Sequence, residues 1–211
     1  MEFYYLDTTN AIYCAMLLPI LAMAGNMAFA GSKDIRDIFT LICAILTFSC
    51  VLMILSNVGN GVTQATSLLN IFPGVDIAFS VEPLGLLFAI IASGLWILTH
   101  IYGVGYMRGN NEKHHARFFA CFCIAISSVI GIAFASNMFT LFLFYEILTV
   151  STYPLVAHKG TKESIRGARL YLSILIGTSI VLQLTAIIWT YVLTGTLDFT
   201  QGGIHEGKVA G

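Results

Sequence analysis

Residues 138–157 read MFTLFLFYEILTVSTYPLVA, and Glu146 is the only charged side chain among them. About 20 mostly apolar residues suffice to cross a bilayer as a helix, so this stretch predicts a membrane span with a carboxylate near its middle. Glu146 lies about nine residues from either end, hence about 13 Å from each surface at the helical rise. An acid at that depth costs at least a few kcal/mol on insertion scales, and its default role is in an ion or proton path.

The rest of the chain has the same character. Of its 211 residues 57% are hydrophobic and 10% charged, against about 25% charged in a soluble domain, and the mean hydropathy is +0.86. A net charge of −1 gives no reason to expect nucleic acid as a partner. Cys14, Cys43, Cys50, Cys121 and Cys123 all fall in apolar runs outside any spaced Cys/His pattern, and read as buried thiols acting as small hydrophobes. There is no phosphate-binding glycine loop, no haem or iron–sulfur ligand set and no nucleophile–base pair. No cofactor, metal site or catalytic constellation is therefore expected. The start, MEFYYLDTTN, lacks the Lys or Arg of a signal peptide's n-region, so the first apolar segment is expected to stay as a membrane helix.

Six segments are long and apolar enough to span: 11–30, 38–58, 84–107, 118–135, 138–157 and 170–193. The expectation is an all-α, polytopic transmembrane bundle forming one domain over 1–211. Pro19, Gly25 and Asn26 allow a kink in the first helix. The fourth and fifth helices meet at Ser136 and Asn137 and predict a tight antiparallel hairpin. Residues 59–83, with Gly59, Gly61, Pro73, Gly74 and Pro83, read as the longest interior loop, and 194–211 as a flexible, glycine-rich tail.

The loops alternate in charge. Lys33 and Arg36 follow the first helix; Arg108, Lys113 and Arg117 the third; Lys159, Lys162, Arg166 and Arg169 the fifth. The intervening loops carry no Lys or Arg, only Asp76 and Glu82 in the longer one. By the bias of cytoplasmic loops toward Lys and Arg, both termini are expected on the outer side of a bacterial inner membrane. Within 160–169, Thr161 can cap a helix whose first turn holds Glu163.

Several polar residues could serve the Glu146 carboxyl. Thr149 and Tyr153 follow at i+3 and i+7, on the same helix face. Burial disfavours a charged carboxyl and a neighbouring cation favours it, so a carboxyl between those influences can load and release a proton. His158 lies twelve residues on, about 18 Å away along a helix, too far for direct exchange. It reads as an interfacial residue or a relay through water. His100 in the third helix reads as a packing histidine or a path-lining one. Gln183, with Ser179 one turn before it, reads as interhelical hydrogen bonding or as path lining. The pair His114 and His115 beside Lys113 carries little as a metal site.

The run FYEILTVSTYPLVAHKGT at 144–161, followed by SIRGARLYL at 164–172, resembles the fifth helix and following loop of the antiporter-like membrane subunits. These include the D and A subunits of multisubunit Mrp-type cation/proton antiporters and the proton-pumping subunits of respiratory complex I and membrane-bound hydrogenases. VEPLGLLF at 81–88 and GYMRGNNE at 105–112 resemble that family's third helix and the loop after it. The Mrp D subunit is the nearest type. The resemblance implies a subunit of about fourteen helices in two inverted repeats of five, each with a broken helix. It also implies that the acid matching Glu146 pairs with a lysine on a seventh helix. This sequence corresponds to the N-terminal part alone and reads as a truncated product or one piece of a split subunit.

Three functions follow as expectations. The first is proton and monovalent-cation translocation within a multisubunit antiporter, Glu146 being the titrating group. The second is a proton-pumping subunit of a complex I-like NADH-quinone oxidoreductase or membrane-bound hydrogenase, whose redox chemistry lies in other subunits. The third is a non-conducting structural fragment. The implied partners are other membrane subunits, protons, a monovalent cation and the bilayer.

Overall fold

The computed structural model describes residues 7–59, 66–72, 74–200 and 204. The chain builds a helical membrane bundle: α1 (Thr8–Ala28), α2 (Lys33–Gly59), α3 (Pro83–Gly109), α4 (His115–Ala133), α5 (Met138–Val156) and α6 (Lys162–Thr178). A π-helical segment, Ser179–Leu184, joins α6 without a break to α7 (Thr185–Thr194). The stretch 162–194 thus acts as one span, and among the described residues six spans are long and apolar enough to cross a bilayer. The protein is an integral membrane protein.

Apolar burial does not drive helices together inside lipid, so close packing and interhelical hydrogen bonds must do so. Near the α1–α2 turn Asn26 of α1 is fully buried and donates to the Thr40 hydroxyl of α2 at 2.9 Å and to the Ala22 carbonyl at 2.8 Å. Ser127 of α4 donates to the Met16 carbonyl of α1 at 2.8 Å. Around these bonds Ile12, Ala15, Val51, Ile54, Trp96 and Ile130 form the core. Gly131 lets the Phe144 ring of α5 lie on the α4 backbone, and Gly85 lets α3 meet the Ala133 carbonyl.

Burial is uneven. Half of the most apolar window of α4 is covered, but only 17% of that of α5 and 11% of that of 162–194. The bundle is therefore closed around α1 and α4 and open along α5, α6 and α7.

Four findings correct the sequence reading. Residues expected as loop form a hairpin, β1 (Thr66–Phe72) antiparallel to β2 (Val75–Phe79), with Gly74 at φ 82° in its turn. The available signal was two short runs rich in β-branched and aromatic residues on either side of Pro73 and Gly74. Secondly, Arg36 is not a loop residue: α2 starts at Lys33, so Arg36 sits in its first turns and is 2% exposed. Thirdly, the last span starts at Lys162 rather than at 170. Thr161 caps it as expected, accepting from the Ser164 N–H at 3.1 Å, with Glu163 in the first turn. Lastly, the beginning of the segment read as a flexible tail is docked. Leu197 is buried, its carbonyl accepts from Met138 N–H at 3.0 Å, and Phe199 N–H donates to the Ser136 carbonyl at 3.0 Å. Residues 201–203 and 205–211 of that segment lie outside the described residues.

The two ends of the bundle differ. One end is laced together by β2, the α4–α5 turn and residues 197–199. There Asn137 donates to the Asp76 carbonyl at 2.9 Å and caps α5 by accepting from Thr140 N–H at 2.7 Å. Asp7, Asp76, Glu82 and Asp198 belong to this end. The opposite end holds, in its turns or within about two helical turns of them, every described Lys and Arg.

Candidate functional site

The α4–α5 hairpin sets the position of Glu146. The Asn137 cap fixes where α5 starts, and Phe144 against Gly131 fixes its rotation on α4. Glu146 is then half-buried two turns in, lining an apolar cleft of about 350 Å³ with Ile124, Leu143, Ile147, Val150 and Ser151. Its Oε1 is buried and accepts no hydrogen bond from any described residue. The companions on α5 divide. Ser151 donates to the Leu148 carbonyl and Thr152 to the Thr149 carbonyl, both at 2.8 Å, so these hydroxyls are committed to their own helix. Thr149 is buried one turn beyond Glu146 and Tyr153 is half-buried another turn on.

The other sequence candidates are not gathered around Glu146. His100 is buried on α3, and its Nε2 lies 3.0 Å from the Asp37 carbonyl. That oxygen can only accept, so Nε2 carries the hydrogen. The ring meets Phe119 edge-on at 5.0 Å. Gln183 is half-buried within the π segment, on the sparsely covered side of the bundle. His158 lies beyond the end of α5, its ring 5.2 Å from that of Phe118 and its Nε2 3.9 Å from Glu112 Oε2. Burial pushes the His158 imidazole below its ordinary range; Glu112 pulls the other way, and Arg117, His114 and His115 add to the depression. Burial is the larger effect, so the 3.9 Å contact is not an ion pair at neutral pH.

The sequence reading missed a partly buried charge cluster where α2 and α3 meet. Asp37 accepts from Arg36 Nε at 2.8 Å and Nη2 at 2.6 Å through one oxygen, and from Arg108 Nη2 at 2.7 Å through the other. Arg108 Nη2 also meets Asp34 at 2.8 Å. The buried Arg36 and Asp37 neutralise each other, and the half-exposed Arg108 and exposed Asp34 carry the cluster out to the surface. The available signal was Asp34 and Asp37 at i+3 ahead of an apolar helix.

Residues 73–119 match the family model described as "NADH-Ubiquinone oxidoreductase (complex I), chain 5 N-terminus", and residues 135–204 the one described as "NADH:quinone oxidoreductase/Mrp antiporter, TM". The chain is similar to F(420)H(2) dehydrogenase subunit L of Methanosarcina mazei, 28% identical over 198 residues that are 90% of this chain and 28% of the relative. It is similar to Na(+)/H(+) antiporter subunit A1 of Staphylococcus aureus, 27% identical over 165 residues, 76% of this chain and 20% of the relative. Among solved structures it shares its fold with a chain of the membrane-bound sulfane sulfur reductase, an archaeal respiratory membrane complex. There the TM-score is 0.75 at 17% identity, over 90% of this chain and 29% of that one. This chain spans under a third of the length of each.

Proposed function

Because this chain belongs to the antiporter-like membrane subunit family that NADH:quinone oxidoreductases and Mrp antiporters share, we propose that it serves proton and monovalent-cation translocation in a multisubunit antiporter, with Glu146 as the group that takes up and releases the proton. The observation that carries this reading is the half-buried carboxyl whose Oε1 has no donor among the described residues. A buried acceptor left without a donor costs about 1–3 kcal/mol, and more when charged. Its partner is then a proton, water or a cationic side chain outside these residues. The lysine of a seventh helix that the resemblance implies fills that place. Moving one charge through 100 mV is worth about 2.3 kcal/mol, comparable to shifting a carboxyl by one or two pH units at about 1.4 kcal/mol each. A small displacement of such a cation therefore suffices to couple Glu146 to the membrane potential.

The sparse coverage of α5 and 162–194 supports further membrane subunits or helices packing on that side. The confinement of the described Lys and Arg to one end supports that end as cytoplasmic. Similarity to the F(420)H(2) dehydrogenase subunit favours a second reading, in which a redox reaction in other subunits drives proton pumping through the same acid. The test common to both is Glu146→Gln in the complete assembly. Proton or cation flux is expected to vanish while assembly persists, and full flux would remove Glu146 from the mechanism.

A further inference from the structure

The basic end of the bundle contains a cavity of about 400 Å³ between the last turns of α3, the first turns of α4 and the end of α5. Phe118, Phe122, Leu155 and the two tyrosines Tyr102 and Tyr106 supply its walls. Tyr102 and Tyr106 stack on each other at 6.1 Å and are 71% and 52% exposed, so the cavity opens sideways on the outer face of the bundle. Their place near the end of a spanning helix is the depth at which tyrosine sits among lipid head groups. The size falls in the range of about 300–1,000 Å³ typical of ligand sites.

Two opposite charges stand at this cavity. Glu112 has no basic partner among the described residues beyond the 3.9 Å approach of His158, whose imidazole is neutral at pH 7 for the reason given above. Lys159 is exposed and forms no ion pair among the described residues. Asp34, Asp37, Arg36 and Arg108 are matched among themselves where α2 meets α3, so neither guanidinium is paired with Glu112. An apolar slot reached from the membrane side, with one carboxylate and one ammonium at its mouth, complements an amphiphile whose polar end carries both charges.

We propose that this cavity binds one phospholipid whose head group bears a primary ammonium and a phosphate, the ammonium on Glu112, the phosphate on Lys159 and an acyl chain between the aromatic walls. A head group carrying only negative charge would meet Glu112 unfavourably. A quaternary ammonium has no N–H to donate to the carboxylate. The site is separate from Glu146 and does not depend on the transport reading.

The test is native mass spectrometry of the full chain released from nanodiscs that contain equal parts phosphatidylethanolamine, phosphatidylcholine and phosphatidylglycerol. One phosphatidylethanolamine should be retained, about tenfold in preference to the other two. Glu112→Gln and Lys159→Gln should each weaken that retention about tenfold, a charge-assisted hydrogen bond being worth at least that factor. Lys113→Gln, which alters an exposed cation outside the cavity lining, should leave it unchanged. In the unaltered protein, phosphatidylethanolamine with a photoreactive acyl chain should label the peptides holding Tyr106 and Phe122. Equal retention of the three lipids, preference for phosphatidylglycerol, retention unaffected by both variants, or labelling confined to other helices would each overturn the proposal. So would a protein segment of a partner found crosslinked in the cavity in place of lipid.

Discussion

Arg108 of α3 and Asp37 of α2, 71 residues apart in the chain, meet at 2.7 Å, and the other oxygen of Asp37 is held by the buried Arg36. Removing one member of a buried pair costs about 3–5 kcal/mol because the remaining charge is stranded. Asp37→Asn should therefore destabilise the helix pair by about that amount, read as a lowered melting temperature of the detergent-solubilised protein. Arg108→Gln should cost less, since its side chain is 40% exposed and solvent can take over part of its role. Equal losses in the two variants would contradict this account of the cluster.

A second expectation concerns the α3–α4 contact. A Cβ on Gly85 would run into the Ala133 carbonyl, a backbone group that cannot swing aside. Gly85→Ala should destabilise by about 1–3 kcal/mol, the usual penalty of overpacking. The same substitution at Gly105, whose Cβ would meet nothing within 4 Å, is the control and should be near neutral in the same melting experiment.

His158 supplies a pH expectation. Burial lowers its affinity for a proton in the folded state. As pH falls below about 6.5, the ordinary value for histidine, the unfolded chain takes up the proton more readily than the folded one. The stability associated with His158 is thus complete above that pH and declines as pH falls. Nitrogen NMR of the imidazole should give a midpoint below the ordinary value. Glu112→Gln should lower it further, since the carboxylate is the one neighbour that raises it. A rise in that variant would show that the carboxylate is not acting on the ring.

Transport supplies the last expectation. Gln matches Glu in shape but cannot ionise, so Glu146→Gln should abolish flux with no loss in melting temperature. His114→Ala, in the exposed loop before α4, should leave flux unchanged. Proton uptake by reconstituted vesicles measures both, and flux that tracks His114 rather than Glu146 would misplace the proton path.

What the sequence determined by itself is what depends on local composition. Runs of apolar residues specify spans in whatever order they pack, so the six helices and the Thr161 cap could be read one residue at a time. The family was legible for a related reason, because residues 144–172 carry a motif within a single helix and its following turn. What only the tertiary structure decided was which polar groups meet. Arg36 looked like a loop cation because the acid that compensates it, Asp37, is also held by Arg108 from another helix. His100 found the Asp37 carbonyl, and His158 found Glu112 and Phe118, through contacts between helices that no periodicity encodes. Hydropathy sets where each helix sits along the membrane normal. The azimuth of each helix, and so every charge pair and cavity, is set by side-chain packing against neighbours distant in the chain, which is why the membrane fold could be read ahead of the structure and the pairing of its charges could not.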